Sequence, residues 1–306
     1  MFDYLKMSTF LTAFKTDLTS NPLLEFTTEV NDQTGELKNS IYKADYKSLV
    51  IYIYPSGRVE IRGSIHKQFA GGSNHSDFTI ENLKTAIQEI EKDLSISASD
   101  INIHNIEIGV NLNVSFRPGL LLDNLIVYKN SPFNSMRVIG RGHGKDIYKS
   151  HYAIKIYSKG LQYGLPENVV RFEKKIFKMQ ALKAGQILLS DLLSPSFIDY
   201  CKAQLMDCIE SIIISEPIDL KHISKKQLKV YEDCINPLNW MRYDTQQRHH
   251  KRLQFASIIK KYGTLQLKEI MKALISDKLE KLTESNPKTY KVSSGIENRT
   301  YKVSSL

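Results

Sequence analysis

Between residues 49 and 66 apolar and polar side chains alternate with a period of two, interrupted once. LVIYIY (49–54) and VEIRGSIH (59–66) flank PSGR, where Pro55 and Gly57 supply turn chemistry, so the stretch predicts a β-hairpin. KQFAGGSNHSDF (67–78) has no periodicity and reads as a Gly- and Asn-rich loop. The period then changes. Leu83, Ile87, Ile90 and Leu94 recur at helical spacing behind Thr79, a fitting N-cap, and predict a helix over 79–95. Strand character returns in INIHNIEIGVNLNV (101–114), in two strands between 136 and 157 around GRGHGK, and in NVVRFEKKIF (168–177). From about 185 the pattern is helical, with helices predicted over 195–214, 223–235, 245–262 and 264–283. RLQFASIIKKYGTLQLKEIMKAL reads as a helical hairpin broken at Tyr262–Gly263 rather than as a helix-turn-helix. The fold class expected is α+β, a mainly antiparallel sheet with helices, followed by an α-helical C-terminal region. The expected divisions are 1–185, 186–285 and a flexible tail, 286–306, in which TYKVSS occurs twice.

Sorting the strands by parity sharpens this, because alternate residues face opposite sides of a sheet. Val59, Ile61 and Ile65 oppose Glu60, Arg62, Ser64 and His66. Ile106, Ile108 and Val110 oppose Asn105, Glu107, Gly109 and Asn111, which leaves His104 on the apolar parity. Ile154 and Ile156 oppose Lys155, Tyr157 and Lys159; Val170 and Phe172 oppose Arg171, Glu173 and Lys175. A wet face is the ordinary condition of an antiparallel sheet. These polar rows hold carboxylates, cations, asparagines, a histidine and a tyrosine, more than solubility demands. Gly109 leaves room for a neighbouring group to approach its strand closely.

Composition adds a partner class. The 306 residues carry a net charge of +9, with basic runs in KKIFKMQALK (174–183), KHISKKQLK (221–229) and RHHKR (248–252), which favours a polyanionic partner. No apolar run reaches membrane-span length, and MFDYLKMSTFLTAFKTDL lacks a signal-peptide pattern. Cys201, Cys208 and Cys234 form no metal or CxxC spacing and suit a reducing compartment, so a cytoplasmic location is expected. GRGHGKD (140–146) lacks the Gly-Lys-Ser/Thr of a P-loop.

The order VEIRGSIHKQFAGGSNHSDFT, NIEIGVNLNV, AIKIYSKG, VVRFEKKI resembles the replication initiators of filamentous phages (gene II type) and related plasmid rolling-circle initiators. The resemblance covers roughly residues 48–185 in short spaced motifs and implies a sheet of HUH- or RRM-like kind. It implies that Tyr157, with Lys159 two residues on, attacks DNA. Arg171-Phe172-Glu173 matches the family's arginine-hydrophobic-glutamate strand, and Glu107 matches its acidic metal ligand. Broader relatives carry two histidines around one hydrophobic residue; here the strand has only His104, and His66 or His75 would supply the imidazole.

The implied chemistry is Mg²⁺- or Mn²⁺-dependent phosphoryl transfer through a 5′-phosphotyrosine link, in a phage or plasmid protein acting in a bacterial cell. Asn105, Asn111, Lys155, Arg171 and Glu173 would support the site, while Arg62, Lys67, Lys174 and Lys175 would contact DNA. The resemblance makes 1–185 the nicking endonuclease domain and leaves the helical 186–285 to hold DNA through phosphate contacts or to serve assembly. Expected partners are single-stranded or origin DNA and a host helicase and polymerase. Tyr152 and Tyr163 read as structural. The alternative is a non-catalytic DNA-binding regulator on the same scaffold.

Overall fold

The computed structural model describes residues 1–30, 33–35, 37–137, 143–166, 168–182 and 185–284. The TYKVSS tail and part of the GRGHGK loop lie outside them. The strands of the first half are β1 (Phe2–Phe10), β2 (Thr27–Val30), β3 (Leu37–Tyr46), β4 (Leu49–Ile53), β5 (Arg58–Ser64) and β6 (Asn102–Asn113). Then come β7 (Leu125–Tyr128), β8 (Ser131–Pro132), β9 (Asn134–Arg137), β10 (His143–Tyr148), β11 (Tyr152–Ser158), β12 (Val169–Ile176) and β13 (Ile212–Ile214). The helices are α1 (Ile65–Phe69), α2 (Ile80–Leu94), α3 (Pro118–Asp123), α4 (Lys159–Tyr163), α5 (Pro195–Ser211), α6 (Lys225–Ile235), α7 (Pro237–Arg242), α8 (Thr245–Tyr262) and α9 (Leu267–Thr283).

Ten strands form one antiparallel sheet in the order β2-β3-β4-β5-β1-β6-β12-β11-β10-β9, and the fold is α+β. The predicted hairpin is β4–β5, paired from Leu49↔Gly63 to Ile53↔Val59. The predicted helix is α2, whose Thr79 side chain accepts from the Asn82 N–H as N-cap. The apolar parity sets of β5, β6, β11 and β12 are buried together with Leu83, Ile87, Ile90 and Leu94 of α2.

The strand β1 was not anticipated, and it occupies the centre of the sheet between β5 and β6. Its register against β6 shifts twice, between Phe2 and Leu5 and between Lys6 and Met7. A bulge places successive residues on the same face. Phe2 and Leu5 are in the core, while Asp3 bonds to Ser64 and Arg171 and Tyr4 lies under Lys175, so both reach the polar face. The second shift corrects the reading of His104. It is exposed and its Nε2 lies 2.6 Å from Ser8 Oγ, away from the apolar side.

The C-terminal helices divide between two cores. Leu205 and Ile209 of α5 and Met271, Ile275 and Leu279 of α9 join the core of the large sheet. Val127, Ile213, Cys234, Trp240 and Phe255 form a second core, in which α6, α7 and α8 pack on the small sheet β13-β7-β8. Residues 212–214, expected as helix, are instead the strand β13, three β-branched isoleucines that pair with β7. All three cysteines are buried and unpaired. Among the described residues no helix is long and apolar enough to cross a membrane.

Candidate active site

Strand register brings the polar rows together. Glu173 sits between Gly109 and Lys155, and Arg171 between Asn111 and Tyr157. A Cβ on Gly109 would lie 2.7 Å from Glu173 Cβ and 2.8 Å from the Phe172 carbonyl oxygen, so the close approach expected at this glycine is realised. Gly144, opposite Tyr157, does the same for the tyrosine: a Cβ there would lie 2.5 Å from Tyr157 Cβ.

Arg171 is the hub. Its Nε donates to Glu173 Oε2 (3.0 Å), Nη1 to Asn111 Oδ1 (3.2 Å) and Nη2 to Asp3 Oδ2 (3.1 Å). Lys155 donates to Glu173 Oε1 at 3.1 Å. Glu107 has Lys175 at 3.6 Å and Lys155 and Arg171 at 4.0 Å. The two glutamates titrate apart. Burial, then Glu173 and Asp3, push the Glu107 carboxyl up to about 8, while Arg171 and Lys155 overcome burial and hold Glu173 down at about 2. The surroundings therefore favour the protonated form at Glu107 and the ionised form at Glu173.

Tyr157 is only 8% exposed, and its hydroxyl donates to Glu173 Oε2 at 3.4 Å. Burial and Glu173 raise its pKa above the ordinary tyrosine value, against the lowering effect of Arg171. Lys159 does not continue the strand. β11 ends at Ser158, whose side chain caps α4 by accepting from the Leu161 N–H. The ammonium of Lys159, 1% exposed, donates to Asn74 Oδ1 (2.7 Å) and lies 5.5 Å from the ring centre of Tyr157 and 5.0 Å from that of Tyr163. Burial and Arg171 lower its pKa to about 8.

The loop 70–78 is fastened onto this face. Asn74 donates to Asp3 Oδ2 (2.6 Å) and also accepts from Tyr163 (2.7 Å), and the Asn111 amide donates to the His75 carbonyl (3.0 Å). Asp3 and Asn74 were absent from the sequence-derived site. Asp3 escaped because β1 was not read as a strand, and Asn74 because a loop has no parity.

The expected metal ligands do not assemble. His66 is not a strand residue. Ser64 caps α1, and the His66 ring stacks on Phe78, with burial lowering its pKa to about 4. His75 is exposed and its ring is tilted against Tyr163 at 5.3 Å. The groups acting most strongly on Glu107 are Glu173, Asp3, Lys155 and Arg171, none a histidine. Among the described residues no three His, Cys, Asp or Glu side chains are grouped to hold a metal. Asn105 lies opposite Lys6, and its Oδ1 is buried without a partner.

Of the expected DNA contacts, Arg62 and Lys175 stand on the polar face, over the rings of Tyr52 (4.7 Å) and Tyr4 (4.1 Å). Lys67 is half-buried on α1. Lys174 is a correction. It lies on the opposite face, 6% exposed, donating to Gln204 at 2.6 Å over the Tyr152 ring, because odd and even residues of β12 face apart.

No protein-family model and no curated protein sequence matches the chain. Among solved structures it is similar to a rolling circle replication initiator protein from Geobacillus stearothermophilus. The identity is 11% and the TM-score 0.43, over 74% of this chain and 88% of that one.

Proposed function

We propose that the chain is a rolling-circle replication initiator of a phage or plasmid, which nicks and rejoins origin DNA through Tyr157. The observation that carries this is the meeting of the Tyr157 hydroxyl with Glu173 inside a cluster drawn from β1, β6, β11 and β12. It supports the roles that the motif resemblance implies.

In the step proposed, the Tyr157 oxygen attacks the phosphorus, the tyrosyl O–P bond forms and the P–O3′ bond breaks. The phenol proton passes to Glu173, the acceptor it already faces. Protonated Glu107 supplies a proton to the departing 3′ oxygen, the division of labour expected when neighbouring carboxyls titrate apart. Arg171, Lys155 and Lys175 offset the phosphate charge. The phosphotyrosine bond retains the energy needed for rejoining. Among the described residues Glu107, His66 and His75 are not grouped to hold Mg²⁺ or Mn²⁺.

The test is a covalent-adduct assay with end-labelled single strands from an origin library, with Mn²⁺, with Mg²⁺ and with chelator. A protein–DNA band resistant to denaturant, and absent in Tyr157→Phe, is expected. The burial of Tyr157 favours a second reading, a DNA-binding regulator without cleavage. Tight DNA binding with no adduct under any metal condition would select it. Helicase and polymerase are the partners expected of an initiator, and pull-down from a bacterial host tests them.

A further inference from the structure

The segment 221–262 contains ten lysines and arginines against three acids, so +7 of the chain's net +9 lies in these residues. They fold as α6, α7 and α8, with a one-residue link at Asn236 and a two-residue link at Tyr243–Asp244. Trp240 is fully buried at their centre, and Tyr231 stacks on Phe255 at 5.8 Å. This lobe has its own core, apart from the large sheet.

The cations of α8 divide by task. Lys251 pairs with Asp233 at 3.1 Å, and Arg252 donates to the Ser211 and Lys129 carbonyls, so both fasten the helix to its neighbours. Gln246, His249, His250 and Leu253 recur at i, i+3, i+4 and i+7 and are exposed, Leu253 at 59%. The stripe thus presents two imidazoles, an amide and a leucine outward. Beside it, Lys226 and His250 line one cleft of about 380 Å³ between α6 and α8. Lys225, Lys226 and Lys229 are exposed on α6, and none is ion-paired among the described residues.

We propose that the α6–α8 lobe is a second nucleic-acid site, for duplex DNA, in which the exposed stripe of α8 enters the major groove and the α6 lysines hold flanking phosphates. An α-helix fits that groove by width. The groove presents hydrogen-bonding edges matched by Gln and His, and a thymine methyl matched by Leu253. Unpaired lysines beside the stripe supply the sequence-independent part of the affinity. The proposal holds whether or not Tyr157 is a nucleophile.

The test uses the full chain carrying Tyr157→Phe, so that no covalent step contributes, and a selection from a random 30-base-pair duplex library. An enriched motif is expected. His249→Ala with His250→Ala should weaken binding to that motif by about tenfold or more while unselected duplex loses less than about threefold. Lys225→Gln, Lys226→Gln and Lys229→Gln together should weaken both and flatten the salt dependence by about three contacts. A single strand of the same sequence should compete about tenfold less well than the duplex. Thermal melting checks each variant, and His249→Gln with His250→Gln replaces the alanine pair if it melts below the parent. No enriched motif, the same motif preference in the histidine variant, equal competition by the single strand, or an unchanged salt slope in the lysine variant would overturn the proposal.

Discussion

Arg171 Nη2 lies 3.1 Å from Asp3 Oδ2, a pair 168 residues apart in which both side chains are buried. It ties β12 to β1, and Asn74 ties the loop to the same carboxylate. Asp3→Ala leaves Arg171 Nη2 and the Asn74 amide without their buried acceptor, while Glu173 still balances the guanidinium charge. It should destabilise the fold by about 1–3 kcal/mol, measured by urea denaturation. A loss below about 1 kcal/mol would show that the pair is not buried in solution.

Tyr157→Phe should abolish the covalent adduct and leave DNA affinity within about twofold of the parent, because one oxygen is lost. Its hydrogen bond to Glu173 is long at 3.4 Å, so stability should change by less than about 1 kcal/mol. Tyr152→Phe and Tyr163→Phe should retain most nicking. An adduct surviving in Tyr157→Phe, or lost in Tyr163→Phe alone, would reassign the nucleophile.

Gly144→Ala removes no functional group, yet its Cβ would lie 2.5 Å from Tyr157 Cβ. Adduct formation should fall by about tenfold or more if the placement of Tyr157 controls attack. Gly109→Ala meets the Phe172 carbonyl as well as Glu173, and backbone yields less readily than a side chain. It should cost about 1–3 kcal/mol in thermal or urea unfolding. A normal adduct rate in Gly144→Ala would separate the chemistry from the tyrosine's position.

Glu107 provides a pH test. Its carboxyl is pushed up to about 8 by burial and the neighbouring carboxylates, against an ordinary value of 4.5. Between those values the folded chain holds a proton that the unfolded chain releases, so this contribution to stability declines as pH rises through the window. Glu107→Gln stays neutral and should gain on the parent by at least about 1 kcal/mol between about pH 5 and pH 8. Parallel stability curves would place Glu107 ionised in the fold. In the proposed step the same variant loses the proton donor, so nicking should slow while its pH profile flattens above neutrality.

The elements with a clean period were legible in the residues alone. The alternation in 59–64 and 106–111 marked β5 and β6, the spacing of Leu83, Ile87, Ile90 and Leu94 marked α2, and parity placed Glu107, Asn111, Lys155, Tyr157, Arg171 and Glu173 on one face. These follow from local geometry, since a strand or helix sorts its own side chains. Lys159 and His66 fell otherwise because each lies just past a strand end, where a serine cap starts a helix and the parity rule stops. Asp3 and His104 were decided by bulges, which depend on how two strands distant in sequence come into register. The pairing of α5 and α9 with the large sheet, and of α6–α8 with β7 and β13, likewise required the assembled chain. An amphipathic helix announces that it has a buried face, but only tertiary packing chooses what that face is buried against.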